Sequence, residues 1–168
     1  RKLFADNQFK NRRGVVGCAL SHLYLWKSLA ALPPGDDAFV VVLEDDVELH
    51  SDFVGSIENV RRDLESVQDP WELVLLGYSN IKSKTLWRRV TDNLFEVSDP
   101  DVLWGTFGYI IHQRGAKKLI AYAEEEGIKV PVDAFIIQAL RSVWTTKLVL
   151  VTSVIATQTS GDLDIQKS

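Results

Sequence analysis

Apolar residues recur at three-to-four spacing through Val16, Leu20, Leu23, Tyr24 and Leu29, and the pattern halts at Pro33-Pro34-Gly35. This period predicts an amphipathic helix from Val15 to Leu32. Ala38 to Leu43 changes the rhythm: the run is short, β-branched and apolar on both faces, as in a central parallel strand covered by helices on each side. Ser51 stands where it can cap a following helix, whose face Phe53, Ile57, Val60 and Leu64 carry to about Val67. WELVLLG at 71–77 reads as a second buried strand.

Residues 78–106 are less regular. Strand-like LWRRV and LFEV alternate there with Ser, Asn, Asp and Pro, which predicts an excursion that carries a hairpin. FGYIIH at 107–112 is strand-like again, and Arg114 to Glu126 is helical with Gly127 as its closing C′ residue. Pro131 introduces a helix from about Val132 to Trp144, KLVLV at 147–151 is a last strand, and the polar tail from Thr152 reads as irregular. The succession predicts an α/β chain with a mixed sheet flanked by helices, in which ligands bind at the carboxyl ends of the strands.

Composition narrows this picture. At 168 residues, with 46% hydrophobic and 25% charged residues, the chain suits a single domain with its own core, residues 1–168 together. No apolar run is long enough to cross a bilayer. The net charge of −4 and the scattered Lys and Arg give no concentrated basic face, so nucleic acid is not an expected partner. Cys18 lies inside the helical pattern and reads as a small buried core residue, with no His or Cys taken to stand at metal-ligand spacing; an internal disulfide is excluded. The chain has no Met and opens at Arg1 mid-pattern, so a fragment is expected, with any targeting signal outside it.

The chemistry concentrates in VVVLEDDVEL, where an apolar strand ends in Glu44, Asp45 and Asp46. Clustered carboxylates repel one another unless a cation or hydrogen-bond donors compensate them. A hard ion such as Mg2+ or Mn2+ suits oxygen ligands and bridges carboxylates to a substrate's phosphates. The plain alternative is that these acids cap a turn by accepting backbone amides. The string also resembles the acidic pocket of response-regulator receiver domains. That likeness fails on its other requirements: WELVLLG ends in glycine where a phosphoacceptor Asp is needed, no late Lys-Pro pair exists, and a whole helix precedes the acids.

A second resemblance covers far more of the chain. GVVGCALSHLYLW, VVVLEDDVEL, LVLLG, GTFGYIIHQRGAKKLI and VPVD, in that order, resemble glycosyltransferase family 25 over roughly residues 14 to 165. That family includes bacterial lipopolysaccharide galactosyltransferases and procollagen (hydroxylysine) galactosyltransferases. The resemblance implies a GT-A-like (Rossmann-like) fold, here lacking its N-terminal strand. It implies a metal-dependent, inverting transfer of galactose or glucose from a UDP-sugar to a glycan or hydroxylysine acceptor. Glu44-Asp45-Asp46 then takes the place of the Asp-x-Asp element: Asp46 is the expected ligand of Mn2+ or Mg2+, and Glu44 or Asp45 faces the nucleotide ribose or the sugar.

Inversion needs a base for the acceptor hydroxyl, and Asp133 in VPVD is the candidate, with an N-cap role the open alternative. Ser21 and His22 match the family's Leu-Ser-His block, so His22 stands either near the nucleotide or as a satisfied structural histidine. Gly105 and Thr106 match a Gly-Thr block where the backbone approaches the sugar. The family more often has His and Ala after that Thr, whereas this chain has Phe107 and Gly108, which touches donor or acceptor detail. Gln158, Asp162 and Asp164 match a late acidic block that either completes the metal shell or belongs to a solvated tail. Of the tryptophans, Trp104 beside Gly105 stands nearest the expected cleft, and Trp71 and Trp87 are expected in core or edge packing. The alternative function is a catalytically inactive binding or adhesion domain of the same fold. Compartment stays open: cytoplasmic for a bacterial lipopolysaccharide enzyme, the ER lumen for a procollagen one.

Overall fold

The computed structural model describes residues 3–33, 38–68, 70–77, 87–97, 105, 107–142, 150–151 and 155–156. In chain order these form α1 (Arg13–Ala30), β1 (Phe39–Leu43), β2 (Glu48–Leu49), α2 (Phe53–Ser66), β3 (Leu73–Leu75), β4 (Trp87–Arg89), β5 (Phe95–Val97), β6 (Gly108–His112), α3 (Gln113–Glu126), α4 (Val132–Ser142), β7 (Leu150–Val151) and β8 (Ile155–Ala156).

Six strands make one sheet in the order β1-β6-β3-β7-β5-β4. Both β1 and β3 pair antiparallel with β6, so they run parallel to each other with β6 reversed between them. β3 pairs parallel with β7, β7 antiparallel with β5, and β4–β5 is the hairpin foreseen in the excursion. The sheet is therefore mixed, with helices on both faces.

Strand periodicity sorts side chains between those faces. Leu73 and Leu75 of β3, Tyr109 and Ile111 of β6 and Val42 of β1 join α1, α3 and α4 in the larger core. Val74 and Ile110, one residue out of phase, meet Val60 and Leu64 of α2 in the smaller one. Each strand thus divides its apolar residues between two cores, which is why β3 and β6 are apolar without alternation.

Three expectations change. β1 is not central: among the described residues it pairs only with β6, antiparallel, and stands first in the sheet order. Val41 and Leu43 keep 37% and 36% exposure, because α2 covers the second face nearer β3 and β6. The residue at the N-cap of α2 is Asp52 rather than Ser51, without a side-chain capping bond. Finally, the polar tail is not wholly irregular, since β8 pairs antiparallel with β2.

Other boundaries follow the local chemistry. Gly127 closes α3 at φ 76°, a conformation open to glycine, and its N–H donates to the Ala123 carbonyl at 3.0 Å. α3 starts without a loop after β6 because the His112 ring accepts from the Arg114 N–H at 3.2 Å. Gln113 ties that junction to the chain entering β1, through its amide to the Ala38 carbonyl at 2.8 Å and its side chain to the Leu32 carbonyl at 2.7 Å.

Candidate functional site

Because β1 and β3 are parallel and β6 opposes them, the carboxyl ends of β1 and β3 and the entrance to β6 share one edge of the sheet. The Glu44 amide continues the β1–β6 ladder by donating to the Phe107 carbonyl at 3.0 Å, and the Leu76 amide donates to the Gly108 carbonyl at 2.9 Å. Gly105 sits on the same approach at φ 86°, and a Cβ there would lie 2.6 Å from the Phe107 ring. Any side chain at 105 would displace the residue whose carbonyl holds Glu44. Thr106, like Trp104, lies outside the described residues.

Helix α1 brings a second set of groups to this edge. Cys18 and His22 are one turn apart on the same face. The Cys18 thiol, a His22 ring nitrogen and a Glu44 carboxylate oxygen all lie within 4.8 Å of one another. His22 is only 5% exposed; its Nδ1 lies 2.7 Å from the Tyr109 hydroxyl, and its Nε2 lies 3.9 Å from Glu44 Oε1. The same hydroxyl receives the Trp26 indole N–H at 3.0 Å. The His22 and Tyr109 rings stack at 5.6 Å; Trp26 lies tilted against His22 at 6.1 Å and itself stacks on Phe135 of α4 at 6.1 Å.

The electrostatics follow from burial and from the acids. Burial lowers the His22 pKa to about 4, so the ring is neutral near pH 7 and its contact with Glu44 is not an ion pair there. Burial also raises Tyr109 well above an ordinary phenol. The Cys18 thiol is pushed up to about 11, by burial first and then by the charges of Glu44, Asp133, Asp45 and Asp46. One thiol therefore senses all three acids at the end of β1 and the acid of α4. The potential around it is negative, and oxygen donors of this kind suit a hard divalent ion.

The residues expected from the sequence are placed as follows. Glu44 is half-buried, whereas Asp45 and Asp46 are exposed in the turn after β1. Asp133 lies inside the first turn of α4, half-buried, with Oδ1 accepting from the Ala134 N–H at 2.7 Å. Ser21 is exposed and donates to the Gly17 carbonyl of its own helix at 3.1 Å, so this hydroxyl bond turns back on α1 while His22 turns inward. Trp71 packs edge-on against Phe39 and His112 in the core, as expected. Gln158, Asp162 and Asp164 lie outside the described residues.

The reading of Cys18 needs correction. It packs against the larger core but is only half-buried, and its thiol lies beside His22 and Glu44; the i, i+4 spacing of Cys18 and His22 was the signal in the sequence. Tyr109 and Trp26 were missed altogether. Nothing local marks them, because the hydroxyl of a strand residue and the indole of a helix residue meet only after β6 packs on α1.

Comparison with known proteins adds independent information. The model of glycosyltransferase family 25 (LPS biosynthesis protein) matches residues 12–136. The chain is similar to procollagen galactosyltransferase 2 of Mus musculus, 32% identical over 124 residues that are 74% of this chain and 19% of the relative. It is 33% identical to procollagen galactosyltransferase 1-B of Xenopus laevis over 74% of this chain and 20% of that relative. A third relative, probable inactive glycosyltransferase 25 family member 3 of Bos taurus, is 32% identical over the same shares, 74% and 20%. The chain thus spans about a fifth of the length of the curated relatives it matches.

Proposed function

The chain belongs to glycosyltransferase family 25, and from that premise we propose that it contributes a GT-A-like catalytic site. The reaction is metal-dependent, inverting transfer of a hexose, galactose or glucose, from a UDP-sugar to a glycan or hydroxylysine acceptor. The observation that carries this reading is the acidic end of β1, where Glu44 lies within 4.8 Å of Cys18 and His22 and where Asp45, Asp46 and Asp133 also help to raise the pKa of that thiol. A sugar-nucleotide transferase needs one acidic group for the donor's cation and another for the acceptor, on different elements that meet.

In this reading Asp46 holds Mn2+ or Mg2+, and Glu44 or Asp45 faces the ribose or the sugar. The chemistry supplied by a cation bound there is stabilisation of the negative charge that builds on the departing diphosphate. Gly105, with no side chain, lets the backbone approach the sugar, and Thr106 supplies a hydroxyl. Asp133 accepts the proton of the acceptor hydroxyl as its oxygen attacks the anomeric carbon from the side opposite the leaving group, which inverts that centre. Ser21 and His22 serve the donor side. Among the described residues no helix is long and apolar enough to cross a membrane, and none of these roles calls for one.

A second reading is favoured by the naming of some relatives as inactive family members, in Bos taurus and Homo sapiens. There the same site is retained for binding or adhesion without transfer.

Calorimetric titration of UDP with and without Mn2+, together with a hydrolysis assay over a panel of UDP-sugars, separates the two. Metal-dependent UDP binding that disappears in Asp46→Ala, with turnover of one UDP-hexose, is the expected result. Absence of UDP binding by the full-length protein would leave the binding-domain reading standing.

A further inference from the structure

We infer that Tyr109, held by Trp26, is a positioning residue that fixes His22 in its Nε2–H tautomer and so aims an N–H at Glu44. This rests on the proposed function only in giving Glu44 a donor-side task. The proton placement itself follows from donor and acceptor counting.

The indole N–H of Trp26 can only donate. Its bond to Tyr109 at 3.0 Å therefore makes the phenol oxygen an acceptor there. Tyr109 is fully buried, so its own O–H has no water to turn to. Among the described residues its one other hydrogen-bond partner is His22 Nδ1 at 2.7 Å. If Nδ1 carried the proton, the phenol oxygen would accept twice and its O–H would be left buried without a partner, which is destabilising. With the O–H donated to Nδ1, every group is met. A neutral imidazole with an acceptor at Nδ1 must carry its proton on Nε2.

That nitrogen faces Glu44 Oε1 at 3.9 Å. The distance exceeds a hydrogen bond, so in this state the contact is a dipole directed at a charge. Such contacts commonly tighten when a ligand closes the site. The chain Trp26→Tyr109→His22→Glu44 runs from the core of the helical face to the acidic edge, and each donor points the same way. Its effect is to set an N–H dipole beside the Glu44 carboxylate on the side of α1. The same proton closes His22 Nε2 to a metal. Cys18, His22 and Glu44 therefore do not form a site for a soft ion in this tautomer, although their ligand atoms lie within 4.8 Å of one another.

The test is long-range 1H–15N correlation on 15N-histidine-labelled protein near pH 7, with the His22 signals assigned by their loss in His22→Gln. A single Nε2–H tautomer is expected in the wild type. A Nδ1–H tautomer or an imidazolium there would overturn the inference, whether or not any variant folds. In Tyr109→Phe a mixture of tautomers should appear, and Mn2+-dependent UDP affinity should fall about tenfold, the scale of one hydrogen bond. His22→Leu should lose affinity similarly, and His22→Gln, whose amide N–H reaches the Nε2 position, should recover part of it. Unchanged UDP affinity in Tyr109→Phe, or no difference between the Gln and Leu variants, would also overturn it. If the wild type bound no UDP, the functional proposal would fail while the tautomer measurement still decided the proton's place.

Discussion

Glu44 at the end of β1 and Asp133 in the first turn of α4 both raise the pKa of one thiol, that of Cys18. Residues remote in the chain thus share an electrostatic neighbourhood, as the proposed division between a donor-side acid and a base would require. Asp133→Asn keeps the shape of the first turn and removes the charge. Transfer should be abolished with UDP affinity almost unchanged, because a base acts on the acceptor and not on the donor. Parallel loss of turnover and UDP affinity, measured kinetically and by titration, would remove Asp133 from that role.

Cys18 itself reports on the cation. A thiol moved from 9.0 to about 11 has about a hundredfold less thiolate at pH 8, so alkylation by iodoacetamide should be correspondingly slow. Mg2+ bound among the acids should offset their part of the shift, though not the larger part due to burial, and speed the reaction severalfold. Asp46→Ala should remove the Mg2+ effect. A rate indifferent to Mg2+ in the wild type would count against a cation at this edge.

His22 makes stability depend on pH. Its pKa is about 4 in the folded chain against 6.5 for an ordinary histidine. Below pH 6.5 the unfolded chain binds a proton that the folded one refuses, so stability is complete above 6.5 and falls as pH drops towards 4. At about 1.4 kcal/mol per pH unit, that gap amounts to about 3 kcal/mol. Denaturant titrations between pH 4 and 7 should show the loss, and His22→Gln, which cannot titrate, should flatten the slope in that window.

Gly115 of α3 is where two layers touch. A Cβ there would lie 2.5 Å from the backbone oxygen of Glu72, which already accepts the His112 N–H at 3.0 Å. Alanine favours a helix over glycine by about 1 kcal/mol. The clash is with backbone fixed at a strand junction, where overpacking costs about 1–3 kcal/mol. Gly115→Ala should therefore lower Tm, with a helix-propensity gain too small to reverse the sign. A raised Tm would show that α3 can slide on the sheet.

Much of the architecture was legible in local pattern because it depends on local physics. The helix α1 was legible from its apolar spacing, although its buried face is Val15, Ala19, His22, Leu23, Trp26 and Leu29 while Leu20 and Tyr24 face outward; Gly127 closed α3 with a positive φ, and the apolar runs of β3 and β6 divided between two cores. The acidic turn after β1 was equally plain, since three carboxylates after an apolar strand have few purposes. Order and spacing of five blocks were enough to recognise the family, which the match over residues 12–136 bears out.

What no local pattern carries is which strand lies beside which, and what a buried polar atom meets. β1 looked central from its composition, yet β6 inserts antiparallel between it and β3, and Val41 and Leu43 remain exposed because α2 covers the sheet elsewhere. Likewise His22 read as either a nucleotide contact or a core histidine. Its partners Tyr109 and Trp26 come from β6 and α1, and a hydrogen-bond chain exists only once packing has driven water out and left each donor a single acceptor. Sequence determined the elements and the acids because propensity and repulsion act between neighbours. Tertiary structure decided strand order, burial and proton direction because those depend on contacts between residues that the chain itself keeps far apart.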